Sequence, residues 1–236
     1  MPARRKNHKN PSEKIIVKSK AYGPHERAPR GSKSEAVLNS AMKAHGQRLL
    51  NSNVPAKLIV DALQPFRENF KGGLLWQRLV KHFAAQAKNG EPYSVAGITG
   101  WDFNDQYRIN KIMTVSVIIT PADNFSNLEV SVNYYFSNRF LERKSDITAF
   151  RNTLIFLFPD FRNNRIETIP FVLPDKLLTD TAVYSFIVSL PRHANSFLVC
   201  FKAEACRNGK LWENSGNIGK AMCLIDSGLR VKTAEE

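Results

Sequence analysis

The chain has 236 residues, of which 43% are hydrophobic and 23% are charged, with 34 Lys and Arg against 21 Asp and Glu. The apolar content excludes a fully disordered chain, and the 12 Gly, 12 Pro and three Cys exclude a collagen-like chain and a disulfide-rich scaffold. A chain of this length forms one large domain or two small ones, with a core that needs no covalent cross-links.

The positive charge is concentrated in the first 90 residues. Residues 1–34 carry ten Lys or Arg against two Glu, residues 35–90 carry eight against three, and residues 91–236 carry sixteen against sixteen. Clustered cations are typical of proteins that contact a polyanion or an acidic surface, because binding there releases counterions. A solvated basic tail without a dedicated partner is the alternative interpretation.

Residues 1–34 are predicted to form a disordered basic arm. They contain four Pro, two Gly and few large apolar side chains, so burial cannot offset the entropy of ordering them. A flexible cationic segment suits phosphate contacts better than base reading. The predicted polyanion-binding residues are the cations of this arm: Arg4, Arg5, Lys6, Lys9, Lys14, Lys18, Lys20, Arg27, Arg30 and Lys33.

A small helical subdomain of three short helices is predicted over residues 35–90. Ser32 and Glu35 have the capping-box spacing at the start of a first helix that runs to about residue 51. A second helix is expected to begin at Pro55 and to kink or divide at Pro65. A third helix, from about residue 74 to 88, is expected to end at Gly90.

From about residue 109 the hydrophobic period changes from 3.6 to 2, which predicts strands, and the segments near 113–119, 128–136 and 184–190 alternate so that each has one buried and one wetter face. Without helical crossovers between them, these strands are expected to pair antiparallel. Seven are predicted, near residues 113–119, 128–136, 148–158, 166–173, 184–190, 196–205 and 218–225. The predicted fold class is therefore α+β, with a seven-stranded β-sandwich at 109–228, a connecting segment at 91–108 and a C-terminal tail at 229–236. A small barrel is the alternative.

The sequence contains no motif for phosphate cradling, metal ligation or nucleophilic catalysis. Asp102 and Asp105 lie beside aromatic residues and could line a pocket, although turn and capping roles explain them equally well. Cys200 alternates with Lys202 and Glu204 and is expected to be partly exposed. No catalytic residue, cofactor or metal is therefore predicted, and an enzyme with a dispersed active site is the third alternative.

Tyr135 and Phe140 are predicted to form an interaction patch. By alternation, Tyr135 shares a face with the polar residues Glu129, Ser131 and Asn133, and Phe140 lies near it in sequence. Packing against a second sheet is the alternative role for these aromatic side chains.

The N-terminal residues lack the apolar run of a secretory signal, and no stretch approaches the length of a membrane-spanning helix. Three unevenly spaced cysteines fit reduced thiols. We therefore expect a soluble, cytoplasmic protein that does not bind membranes, while its oligomeric state stays open.

These features favour a non-enzymatic binding or assembly protein whose basic arm and helices contact nucleic acid or an acidic protein surface, on a β-sandwich scaffold. The alternative is a protein-protein interaction module, or a structural component of a larger particle, that does not bind nucleic acid.

Overall fold

The structure, a computed structural model, describes residues 15–19, 23–27, 39–67, 74–103, 108–122, 126–137, 147–177, 182–194, 196–212 and 219–229. The chain divides into two units, Met1–Lys43 and Ala44–Glu236, and the features of each are described separately.

Two short strands lie in the segment that was expected to be a disordered arm. β1 (Ile15–Ser19) and β2 (Gly23–Arg27) pair antiparallel, with Ile15 opposite Arg27 and Ser19 opposite Gly23. Three consecutive β-branched residues at 15–17 favour extended backbone, a signal that the high charge of the segment outweighed in the prediction. The expectation of disorder is therefore wrong for these ten residues, and the rest of the predicted arm lies outside the described residues.

Helix α1 (Ser40–Arg67) is a single helix where the sequence predicts two. It begins after Asn39, whose side-chain oxygen accepts the backbone N–H of Met42 at 2.8 Å. The predicted capping box of Ser32 and Glu35 lies outside the described residues.

The helix continues through Pro55 and Pro65 although proline cannot donate the backbone hydrogen bond of a helix interior. Pro55 is buried and belongs to one apolar stripe with Ala56, Ile59 and Leu63. Burial of this continuous stripe stabilises the helix across the proline, which is why the expected boundary does not occur.

Helix α2 (Leu75–Asn89) ends as the sequence predicts. Gly90 adopts φ 73°, in the left-handed region that favours glycine, and the N–H of Glu91 donates to the carbonyl of Gln86 at 3.0 Å. No described helix is both long and apolar enough to cross a membrane.

Nine strands follow a short 3-10 helix at Ile109–Lys111. They are β3 (Met113–Ala122), β4 (Asn127–Phe136), β5 (Ala149–Asp160), β6 (Arg165–Val172), β7 (Lys176–Leu177), β8 (Ala182–Ser189), β9 (Ser196–Arg207), β10 (Lys210–Leu211) and β11 (Lys220–Leu229).

The strands form a larger and a smaller antiparallel sheet. In the larger sheet β5 and β9 pair with each other at the centre, β6 and β7 pair with the outer side of β5, and β10 and β11 pair with the outer side of β9. The smaller sheet has the order β3-β4-β8. All seven predicted strands are present, together with the short strands β1, β2, β7 and β10, and the α+β class with antiparallel sheets is confirmed.

The central strands β5 and β9 of the larger sheet are buried on both faces. On one face Phe156 and Phe201 belong to a core shared with the smaller sheet. On the other face Ile155 and Leu198 belong to a second core shared with α1 and α2, so the helices have no core separate from the sheet. β5 and β9 therefore differ from strands with one wetter face, because helices cover their second face.

The segment at residues 100–103, within the predicted connection between helices and sheet, runs along β11. The N–H of Gly100 donates to the carbonyl of Leu224 at 2.8 Å, and the N–H of Phe103 donates to that of Met222 at 2.8 Å. These bonds cover the outer edge of β11.

Candidate binding surfaces

The structure describes the backbone of two of the ten predicted arm cations. Lys18 lies in β1 opposite Pro24, and Arg27 lies in β2 opposite Ile15. The other eight lie outside the described residues: Arg4, Arg5, Lys6, Lys9, Lys14, Lys20, Arg30 and Lys33.

The two helices carry the positive charge of the described part of the chain. α1 contains four Lys or Arg and α2 contains three, against one acidic residue, Asp61 in α1. Lys57, Lys81 and Lys88 are exposed. Because the apolar sides of both helices face the larger sheet, these cations lie on surface that the sheet does not cover.

Helix α2 presents a regular exposed stripe. Gln77, Lys81, Ala85 and Lys88 are all exposed and recur at three- and four-residue intervals. Lys81 and Lys88 are two turns apart, which separates them by about 10 Å along the helix axis. Trp76, 36% exposed, adds an aromatic side chain to the same helix.

Arg67 differs from these lysines because it serves packing. It is half-buried at the end of α1, its guanidinium lies 5.5 Å from the centre of the Phe103 ring, and burial lowers its pKa. We therefore do not count it among the side chains available to a ligand.

The second candidate surface is the outer face of the smaller sheet, which points away from the larger sheet. Its apolar members are Ile118, Tyr135, Val183 and Ile187, with exposed fractions between 53% and 67%. Glu129 is the one charged side chain that β3, β4 and β8 place there. Tyr135 lies on the exposed side of β4, as the alternation in the sequence predicts. Phe140 lies outside the described residues.

An open groove of about 310 Å³ crosses this outer face. Its walls include Ile118 on β3 and Ile187 on β8, with Ser131 and Ser185 between them and Glu129 at one side. A lone carboxylate beside hydroxyl and aliphatic groups does not provide the paired acid and base that most catalytic sites need. The groove is therefore better suited to binding a partner than to catalysis.

Asp102 has a structural role. Its carboxylate accepts the backbone N–H of Ile109 at 3.3 Å and lies 3.9 Å from the guanidinium of Arg108, and its backbone bridges to Cys223. Asp105 lies outside the described residues. The pocket that these two carboxylates could have lined is therefore not formed by the part of the chain that the structure describes.

The three cysteines are buried and free of disulfide bonds. Cys200 is fully buried, so its expected partial exposure is wrong, because helices cover that face of β9. Burial raises the pKa of Cys200, Cys206 and Cys223, which disfavours the reactive thiolate. Within the described ranges, no three His, Cys, Asp or Glu side chains are grouped so that they could hold a metal ion.

The core between the two sheets contains a cluster of polar groups that the sequence does not predict. Both side-chain amide atoms of Asn152 and the phenolic oxygens of Tyr134 and Tyr184 are buried near one another, without a well-aligned hydrogen bond between them. Burial raises the pKa of Tyr134, and the nearby Asn152 amide partly opposes the shift. The only sequence signal is an asparagine at the start of the apolar run of β5, and nothing marks the tyrosines as its neighbours.

Comparison with known proteins leaves the family open. No family profile and no curated protein sequence matches the chain. Two solved structures each resemble 52% of the chain. The first is an ApaA protein from Bordetella pertussis, which is 11% identical, is covered over 95% of its own length and gives a TM-score of 0.31. The second is pT26-6p, which is 9% identical and gives a TM-score of 0.34. Only 24% of the pT26-6p chain is covered. Likenesses this weak support no assignment of function.

Proposed function

We propose that this is a non-enzymatic protein that binds nucleic acid or another polyanion through the arm cations and the exposed lysines of α1 and α2. The observation that carries the proposal is the ratio of six cations to one acid on the two helices, with the packed Arg67 left out. Residues 91–236 carry no net excess of basic over acidic residues.

The scaffold that we propose for this function is a β-sandwich of the larger and the smaller sheet. Its support is the shared core, in which Val130 and Tyr134 of the smaller sheet join Phe156 and Phe201 of the larger one. The helices lie on the opposite face of the larger sheet, so their lysines belong to a layer that is separate from the outer face of the smaller sheet.

The mode of binding follows from the kind of cation. Lysines on a helix surface supply charge without the fixed fork that reads a base edge. We therefore expect phosphate contacts, a strong dependence on salt and little preference for base sequence. Exposed Trp76 gives single strands a base-stacking contact that duplexes lack.

A matched pair of charge reversals in the full chain tests this proposal. Lys81→Glu with Lys88→Glu changes the exposed stripe of α2, and Arg207→Glu with Lys210→Glu changes two exposed cations at the β9–β10 hairpin by the same net charge. Anisotropy titrations against labelled DNA, RNA and polyglutamate should show at least about tenfold weaker nucleic-acid binding for the first pair only. An equal loss of nucleic-acid binding for both pairs would show that only the net charge of the protein matters, which would contradict the proposal.

A second candidate function is assembly through the outer face of the smaller sheet, as in a structural component of a larger particle. It is favoured by four large apolar side chains there beside a single charge. If assembly uses this face, Ile118→Lys, which places a charge in the middle of the groove, should lower the mass of the protein measured by sedimentation. A mass that the substitution leaves unchanged would contradict the use of the groove.

A further inference from the structure

We propose that two copies of this chain associate by antiparallel pairing of β8 with β8, so that the two smaller sheets join into one sheet of six strands. This contact uses the edge of the smaller sheet rather than its outer face, so it is distinct from the second candidate function and does not depend on polyanion binding.

The outer strands of the two sheets differ in how they resist further pairing. β6 carries Arg165, Glu167 and Pro170, and residues 100–103 cover β11. β3 carries Pro121 near its end. Charges, prolines and covering segments are the usual means by which proteins block an exposed sheet edge.

In the part of the chain that the structure describes, β8 has none of these means of protection. Its eight residues, AVYSFIVS, include no charged residue, proline or glycine. Within the described ranges it pairs only with β4, through one of its two edges. Its side chains at 183 and 187 are among the most exposed large apolar groups, at 67% and 61%.

The sequence of β8 is close to symmetric about Ser185, and this is the reason to choose a second copy as the partner. Tyr184 and Phe186 flank the serine, and Val183 and Ile187 flank those aromatics. A twofold axis through Ser185 therefore places each Val183 opposite Ile187 of the second copy, and each Tyr184 opposite Phe186 of the second copy. Aliphatic and aromatic cross-strand pairs of this kind stabilise antiparallel sheets.

The charges permit this approach although each chain carries +13. Of the charged side chains on the described strands β3, β4 and β8, the outer faces would bring together the two Glu129 side chains, each opposite Ile187 on the neighbouring strand of its own copy. In the symmetric register these carboxylates lie roughly 20 Å apart, well beyond the screening length of about 8 Å at physiological salt. Like-charge repulsion at the contact is therefore small.

Sedimentation velocity on the full chain over a concentration series tests the inference. The wild-type protein should reach twice the mass of one 26.7 kDa chain. Val183→Lys with Ile187→Lys places like charges opposite each other across the axis and should raise the dimer dissociation constant at least about tenfold. Val183→Glu with Ile187→Lys places opposite charges there and should restore much of the association.

Ile118→Lys is the matched control, because Ile118 is 63% exposed on the same outer face but lies on β3. It should leave the dimer unchanged. A monomer at every concentration would overturn the inference, as would a dimer that the paired lysines do not weaken. Equal weakening by Ile118→Lys would show face-to-face association, which keeps the second candidate function and rejects pairing through β8. Thermal unfolding of each variant verifies that these exposed substitutions leave the fold intact.

Discussion

The rings of Tyr134 and Tyr184 stack between the two sheets, with centroids 6.2 Å apart and planes inclined by 25°. Both phenolic oxygens and both amide atoms of Asn152 are buried near one another, without a well-aligned hydrogen bond between them. Asn152 lies opposite Ala203 on β9, whose small side chain offers it no polar group. Three polar residues therefore lie in a core that is otherwise apolar, which is an unusual and costly arrangement.

Replacing Asn152 by leucine should stabilise the protein. The substitution replaces two buried polar atoms that lack well-aligned hydrogen bonds by methyl groups on the same branched skeleton, and we expect the free energy of unfolding to rise by about 1 kcal/mol. Chemical denaturation of both proteins measures the difference. Leu154→Ala, two residues along the same buried face, should instead lose about 2–5 kcal/mol because it leaves a cavity. A loss of stability on Asn152→Leu would mean that the amide has a partner in solution and would contradict this prediction.

Replacing Pro65 by alanine should stabilise α1. Pro65 is exposed inside the helix, so alanine restores a backbone hydrogen bond without disturbing the core. We expect a gain of about 1 kcal/mol or more in the free energy of unfolding. Gln64→Ala, at the adjacent exposed position, is the control and should change little. If the helix ended before residue 65, both variants would have similarly small effects.

The stability contributed by Asp160 should depend on pH. The side-chain amide of Asn163 donates to the Asp160 carboxylate at 2.7 Å and lowers the pKa of that carboxyl. The pKa of Asp160 in the folded protein lies below its value of about 3.9 in the unfolded chain. The stabilising contribution of Asp160 is therefore complete above a pH of about 3.9 and is lost as the pH falls through the pKa of the folded state. The difference in unfolding free energy between wild type and Asp160→Ala should therefore be larger at neutral pH than in strong acid.

The effect of Asp226 on stability should have the opposite pH dependence. Burial raises the pKa of its carboxyl, so the folded state disfavours the charged form. This destabilisation is absent at a pH below the pKa that Asp226 has in the unfolded chain. It grows as the pH rises toward and through the higher pKa that Asp226 has in the folded protein. Asp226→Asn should therefore gain stability at neutral pH and lose that gain in acid. The same pH trend for the Asp160 and Asp226 variants would show that their local contacts do not control the shifts.

The three cysteines should be protected from thiol reagents in the folded protein. All are buried, and burial raises the pKa of each thiol. Reaction with a chromogenic disulfide reagent at mildly alkaline pH should be slow for the native protein and fast after denaturation. Rapid native labelling of even one thiol would contradict the burial of these strands.

The strands were largely predictable from the sequence, because alternation of apolar and polar residues depends on nothing beyond the strand and its two faces. The double burial of β5 was not predicted from alternation. Its run from Leu154 to Phe158 is continuously apolar, which is typical of a strand covered on both faces, but a covering layer cannot be read from the strand alone.

The helices show where local signals fail. Proline is favoured at the first position of a helix, so Pro55 predicts that a new helix begins there. The structure instead has one continuous helix, because burial of the apolar stripe that contains Pro55 stabilises the helix on both sides of it. The end of α2 at Gly90 was predictable because a left-handed C-terminal glycine is a local requirement.

The candidate surfaces were predictable in part. The excess of cations could be counted from the sequence, and alternation placed Tyr135 on the exposed face of β4. The groove and the near-symmetric edge of β8 depend on which strands are neighbours, and that information is not present in any single segment.

The salt dependence of nucleic-acid binding tests the proposed function most directly. A plot of log affinity against log salt concentration should have a steep negative slope for the full chain, and each lysine that contacts a phosphate should contribute about one unit to it. Lys81→Glu with Lys88→Glu should therefore lower the slope by about two units, while Arg207→Glu with Lys210→Glu leaves it unchanged. A flat slope for the wild-type chain, or the same slope for all three proteins, would contradict polyanion binding through the helices.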